Sequence, residues 1–339
     1  MKPILTLLCI LMSMSIDLAA ANAATAQTPA PAQPQSHQAQ APAVASPARE
    51  GSFTWHTLAD SAGGRRYKLY VPASYDGTRA VPLVVMLHGC TQDPDDFARG
   101  TRMNALAEEH GFLAVYPEQT AAVQPQKCWT WYDPAHQARG AGEPEAIARI
   151  TREVMGSHRV DPARVFVAGV SAGGAMALNV VASYPELFAA VGVHSGIAYR
   201  AAGGVPEALG VMQHGAPDPA SLGSLADAVL RARGTPIRLV AFHGAADPVV
   251  RVVNAGQLVG QWTAGLAAAP EQRGEAGGLA WVRRAWTGSD GRPRVEETVV
   301  EGLGHAWSGG SPEGTYTDAR GPDASREMIR FFLGGGPGA

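Results

Sequence analysis

Hydrophobic positions along the chain fall into two alternating rhythms. Short apolar runs, several rich in Val and Ile, occupy residues 53–58, 66–71, 81–87, 112–116, 164–168, 189–194, 237–242, 281–286 and 295–300, and they predict strands. The stretches 95–110, 143–158, 172–183, 220–233, 254–266 and 325–333 predict helices. The run 81–87 is apolar almost throughout, as a strand buried on both faces should be. In 143–158, Ile147, Ile150 and Val154 share one helical face, and Pro144 suits a first turn. Gly63-Gly64 and Asp290-Gly291 mark turns, while Gly111 and Pro185 mark helix ends. Strands alternating with helices predict an α/β fold with a mostly parallel central sheet and helices on both faces. The first two strands can pair antiparallel at one edge. In such sheets chemistry collects at the carboxyl ends of the strands.

The N-terminus departs from this rhythm. Lys2 precedes an apolar run at 4–16, and Ala21-Asn22-Ala23 and Ala24-Thr25-Ala26 both read as cleavage sites. Residues 1–26 are therefore expected to be a signal peptide, with an uncleaved anchor as the alternative. Residues 27–50, rich in Ala, Pro, Gln and Ser, are expected to be a disordered linker before a domain at 51–335. No later run has membrane length, so a secreted protein, periplasmic or extracellular and without membrane contact after cleavage, is expected. Of the 339 residues, 46% are hydrophobic and 17% charged, which is ample material for a large core. The net charge of −3 supplies no basic field, so nucleic acid is not an expected partner. Cys9 falls within the signal. Cys90 and Cys128 remain and are expected to form a disulfide in an oxidising compartment, with two separate thiols as the alternative. Neither has the spacing or the nearby histidine of a zinc site.

The strand at 164–168 runs into Gly169-Val170-Ser171-Ala172-Gly173 and then a helix. This is G-x-S-x-G in the strand–turn–helix setting of an exposed nucleophile. A serine needs a base to take its proton, and the partners follow in the order acid, then histidine. His305 is the last histidine of the chain and the only one beyond His243; it sits in a Gly-rich loop after the strand at 295–300. Asp247 follows the strand at 237–242 and is the candidate acid, with Asp218 as its rival. Asp227 falls in a predicted helix and Asp290 in a turn. The oxyanion donors are expected to be the N–H groups of Ala172 and Cys90, with Gly89 or Thr91 as alternatives to Cys90. His88 reads as a shaping residue of that loop. Trp129, Trp131, Tyr132 and Trp307 read either as walls of an apolar substrate cleft or as core aromatics.

Four segments together resemble the poly(3-hydroxybutyrate) depolymerase family of esterases, relatives of feruloyl and acetylxylan esterases. They are residues 84–92 (VVMLHGCTQ), 128–132 (CWTWY), 167–174 (VAGVSAGG) and 302–310 (GLGHAWSGG). Residues 139–143 and 320–328 add to the likeness, which covers about residues 53–333. The resemblance implies an α/β-hydrolase fold, ester hydrolysis through an acyl-enzyme without a cofactor, and a triad at Ser171, Asp247 and His305. It implies an oxyanion loop at His88-Gly89-Cys90. The expected substrate is the polyester or its oligomers, or another small ester; the alternative is a feruloyl or acetylxylan ester of plant polysaccharide. Only residues 334–339 follow the last helix, so soluble oligomers are expected over crystalline polymer. A non-catalytic binding protein would leave all three triad members idle.

Overall fold

The computed structural model describes residues 51–58, 64–234 and 236–334. The expected signal peptide, the linker and the turn at Gly63 lie outside the described residues. The strands are β1 (Ser52–Thr57), β2 (Arg66–Val71), β3 (Val81–Leu87), β4 (Leu113–Pro117), β5 (Val160–Val170), β6 (Ala190–His194), β7 (Arg238–Gly244), β8 (Ala267–Ala268), β9 (Gln272–Ala276), β10 (Leu279–Thr287), β11 (Pro293–Val300), β12 (Trp307–Ser308) and β13 (Thr317–Asp318). The helices are α1 (Pro94–Thr101), α2 (Met103–His110), α3 (Gly142–Ser157), α4 (Ala172–Ser183), α5 (Val205–His214), α6 (Leu225–Arg233), α7 (Val253–Gly260) and α8 (Ala324–Leu333).

The main sheet runs β1-β2-β4-β3-β5-β6-β7-β11-β10-β8, with β9 paired to β10. From β4 to β11 every neighbour is parallel; β1 and β2 on one side and β10, β8 and β9 on the other are antiparallel. Period-two alternation puts successive residues of a strand on opposite faces. In β3, Leu83, Val85 and Leu87 join a core with Ile147 and Val154 of α3 and Met176 and Val180 of α4. Val84 and Met86 face the other way, into a core with Phe97 of α1 and Met328 and Phe332 of α8. Both faces are dry, which is why this strand reads as one continuous apolar run. Each fully buried Val or Leu there contributes about 2 kcal/mol.

Three predicted elements differ in detail. The helix expected at 95–110 is two helices, because Arg102 takes a left-handed conformation with φ 54° and ψ 24°. Its guanidinium donates to the Gly309 carbonyl and the Asp323 carboxylate, so distant partners override local propensity. The expected helix at 254–266 ends at Gly260; the Gln261 side chain accepts the Tyr199 N–H and donates to the Tyr199 carbonyl. The segment 220–233 begins as a single turn, Pro219–Leu222, and becomes helical only at Leu225, after Gly223 at φ 67°. The helix α5 and the short strands β8, β9, β12 and β13 were not predicted. Among the described residues no helix is long and apolar enough to cross a membrane.

The carboxyl ends of β3, β5, β7 and β11 all lie at one edge of the parallel core. The loops carrying His88, Ser171, Asp247 and His305 leave from these ends.

Candidate active site

Ser171 sits between β5 and α4 with φ 56° and ψ −123°. A positive φ on a residue with a Cβ costs about 1–2 kcal/mol, and it thrusts the side chain out of the turn. The flanking glycines are sterically required. A Cβ on Gly169 would lie 2.4 Å from the Gly173 carbonyl oxygen, and one on Gly173 would lie 2.2 Å from that of Leu87. The Ser171 N–H donates to the His194 carbonyl at 2.9 Å, which pins the turn to β6.

Asp247 is fully buried. Its Oδ1 accepts the N–H groups of Val249 and Val250 at 2.9 and 2.8 Å. Its Oδ2 accepts from His305 Nδ1 at 2.8 Å. Burial alone would raise its pKa, but the His305 hydrogen bond and charge, aided by the Val250 N–H, hold the carboxyl below its ordinary value. With Nδ1 donating to Asp247, the neutral His305 ring presents Nε2 as an acceptor. Asp218 begins the exposed turn before α6, Asp227 is exposed on α6, and Asp290 closes the β10–β11 turn with Arg292 and Arg294.

Ser171 and His305 line one cleft of about 630 Å3. The loop after β3 forms one wall. There the Gly89 N–H donates to Gln92 Oε1 at 2.9 Å and the Thr91 N–H to the Gln126 carbonyl at 2.6 Å. The Cys90 N–H between them has no acceptor among the described residues. The Ala172 N–H opens α4, where the first turn leaves donors free. The Cys90–Cys128 disulfide is present, with Cα atoms 4.2 Å apart, and joins the β3 loop to the next wall. It closes a 38-residue separation, which chain entropy values at about 4 kcal/mol.

That next wall carries Trp129, Trp131 and Tyr132. The Trp129 indole donates to the His88 carbonyl, and the Trp131 carbonyl accepts from Gln137 and Asn179, so both rings are held. Trp307 is different. It is not among the residues that line the cleft; it packs against Phe97 and His194, and its indole donates to Ser325. The expectation that it lines the cleft is therefore corrected. In β12 the chain turns inward, and sequence proximity to His305 does not become spatial access.

The remaining walls were missed. Val205, Ala208, Leu209 and Met212 of α5, together with Val249 and Tyr316, complete the cleft. Positions 205, 209 and 212 keep helical spacing, and Gly204-Val205-Pro206 is a legible start signal. Leu209 is 61% exposed and Val205 52%, so the mouth has an apolar rim.

Three buried histidines brace these loops, and burial lowers the pKa of each. His88 donates from Nδ1 to the Gly89 carbonyl and accepts the Gln119 N–H at Nε2; burial pushes its pKa down to about 4. His194 accepts the Ser308 N–H, and burial, with the nearby His243 and His305 rings, pushes its pKa down to about 3. His243 donates to the Val250 carbonyl and is lowered by burial as well. Unfolded imidazoles take up protons near pH 6.5 that these folded ones refuse. Their stabilisation is complete above that pH and is lost as pH falls towards their folded values. For His88, the fall from 6.5 to about 4 costs roughly 3 kcal/mol. At His136 burial also lowers, but Glu143 outweighs it and raises the pKa, so its own contribution is complete below about pH 6.5 and offsets nothing. Thermal unfolding should therefore shift steadily downward from pH 6.5 to 5; a flat melting temperature across that window would contradict this picture.

The family described as "Esterase PHB depolymerase" matches residues 65–275. The chain belongs to this esterase family. One curated relative is poly(3-hydroxyalkanoate) depolymerase C of Paucimonas lemoignei, 32% identical over 228 residues. That match covers 66% of this chain and only 54% of the relative, so the chain spans about half of that protein's length. Feruloyl esterase B of Thermothelomyces thermophilus is 27% identical over 70% of this chain and 82% of its own length. Among solved structures, the acetyl xylan esterase from Aspergillus awamori superposes with a TM-score of 0.64 at 19% identity, covering 83% of this chain and 99% of that one. The fold is that of an α/β-hydrolase. The family match ends before His305, so the choice of base stands on the geometry around Asp247.

Proposed function

We propose that the protein is an exported serine esterase that cleaves 3-hydroxybutyrate oligomers or polymer through an acyl-enzyme. The observation that carries this reading is the hydrogen bond from His305 Nδ1 to the buried Asp247, in a loop whose histidine shares its cleft with Ser171. Ser171 Oγ attacks the ester carbonyl carbon while His305 Nε2 takes its proton. Negative charge builds on the carbonyl oxygen, and the N–H groups of Cys90 and Ala172 stabilise it. The tetrahedral intermediate collapses, His305 protonates the leaving alkoxide, and the alcohol departs. Water, deprotonated by the same histidine, then attacks the acyl-enzyme. The carboxylic acid leaves and the Ser171 hydroxyl is restored.

The cleft lining supports a neutral, largely apolar acyl group, because among the described residues it contains no Asp, Glu, Lys or Arg. A hydroxyalkanoate ester meets that requirement, and its ionised product is poorly held. The aromatic flank of Trp131, Tyr132 and Tyr316 favours a second reading, hydrolysis of hydroxycinnamoyl or acetyl esters of polysaccharide. Export is inferred from the apolar run at 4–16 with its small-residue cleavage sites, and the disulfide is compatible with it. A substrate panel of hydroxybutyrate dimer and trimer, amorphous polyester, methyl ferulate and acetylated xylan tests the choice. The highest kcat/KM is expected on the hydroxybutyrate oligomers; a preference for ferulate or acetylxylan would replace the first reading with the second.

A further inference from the structure

Gln92 takes no part in the bond-making steps, yet its side chain is 3% exposed and both of its polar atoms are engaged. Oε1 accepts the Gly89 N–H at 2.9 Å. Nε2 donates to Asp96 Oδ2 at 3.1 Å and to the Thr315 carbonyl at 3.0 Å. Asp96 Oδ1 in turn accepts the Thr315 N–H at 2.9 Å. Thr315 precedes Tyr316, which lines the cleft and whose hydroxyl accepts from Thr91 Oγ1 at 3.2 Å. One amide side chain thus joins the loop after β3 to the loop that carries Tyr316.

The loop after β3 is held in a conformation it would not keep alone. Thr91 has φ 66°, a costly value for a β-branched residue. The space above Gly89 is tight: a Cβ there would lie 3.2 Å from Gln92 Oε1 and 3.3 Å from Val170 Cγ1. Three successive N–H groups leave this loop. Gln92 occupies the first, Gln126 occupies the third, and that of Cys90 is left to the cleft.

We propose that Gln92 is a positioning residue for ester cleavage: it fixes the Cys90 N–H as the oxyanion donor and ties that donor to the Tyr316 wall. The proposal rests on the Ser171 esterase reading. An oxyanion donor acts on charge that exists only in the transition state, so its misalignment lowers kcat and spares KM.

Gln92→Met keeps the side-chain volume and removes both polar functions. With a short nitrophenyl ester, kcat should fall roughly 10- to 100-fold while KM stays within about threefold. Inhibition by an alkyl trifluoromethyl ketone should weaken by the same factor as kcat, because Ser171 adds to it to give a tetrahedral oxyanion. Asp96→Ala leaves the acceptor for Gly89 in place and removes one acceptor of the Gln92 amide, the Thr315 carbonyl remaining, and should show a smaller loss in the same direction. If Gln92→Met does not melt cooperatively, Asp96→Ala decides. An unchanged kcat in the deciding variant overturns the proposal, as does a loss confined to KM or a loss of kcat without weaker ketone inhibition. Ser171→Ala, assayed alongside, separates the two levels. Activity near the wild-type level there overturns the esterase site itself, whereas a Ser171→Ala reduced to residual catalysis beside a fully active Gln92→Met overturns only the role of Gln92.

Discussion

Ser171→Ala should lower kcat/KM for every ester substrate by roughly 10^5-fold, about 7 kcal/mol of transition-state stabilisation. The size follows from what the oxygen does. Without Oγ no acyl-enzyme forms, and the remaining cleft can only hold the ester while water attacks unaided. The oxyanion donors and the binding walls persist, so a residue of catalysis above the uncatalysed rate remains. The fold should be untouched. Alanine keeps the Cβ, and the strained φ of 56° is imposed by the turn's backbone, including the Ser171 N–H bond to His194. The melting temperature should therefore move by no more than a few degrees. Loss of labelling by a fluorophosphonate probe checks the nucleophile directly. Continued labelling at the wild-type rate would mean that another residue carries the chemistry.

The legibility of this site in the sequence depends on how local each residue's task is. The elbow at Ser171 is readable because steric necessity is written into adjacent positions, Gly169 and Gly173. His305 is readable by elimination, since it is the only histidine beyond His243. Asp247 is readable from strand order, but Asp218 could be set aside only in three dimensions, where it starts an exposed turn. The disulfide is readable from cysteine number and expected compartment. By contrast, α5 splits its apolar residues between two tasks. Ala208 and Val211 are buried, while Val205 and Leu209 stay open to the cleft. With Val211 apolar as well, the stripe at 205, 208, 209 and 212 is not set off by a clean polar face. Trp307 and the break at Arg102 were misread for a related reason: each is fixed by partners far away in sequence, Ser325 and His194 for one, Gly309 and Asp323 for the other.

Asp247→Asn should be nearly as damaging as loss of the nucleophile, lowering kcat by about 10^4-fold with KM little changed. The change is nearly isosteric, so the argument turns on where the amide must point. Two backbone N–H groups, those of Val249 and Val250, converge on Oδ1 at 2.9 and 2.8 Å. An asparagine can satisfy them only by placing its carbonyl oxygen there, because turning the NH2 towards them would set donors against donors in a buried site. The NH2 is then left facing His305 Nδ1, 2.8 Å away in the native pair. It donates where the carboxylate accepted, so Nδ1 must become the unprotonated nitrogen and the proton moves to Nε2. That tautomer cannot take the proton of Ser171. The lost negative charge also removes the stabilisation of the imidazolium formed during attack. Asp247→Glu gives no rescue, since the added methylene has no room in a fully buried position. The decisive measurement is the pH profile. Raising the pH should recover part of the activity of Asp247→Asn, because hydroxide can deprotonate the serine without the histidine. A variant with wild-type kcat at pH 7 would show that the His305 tautomer is not set by Asp247.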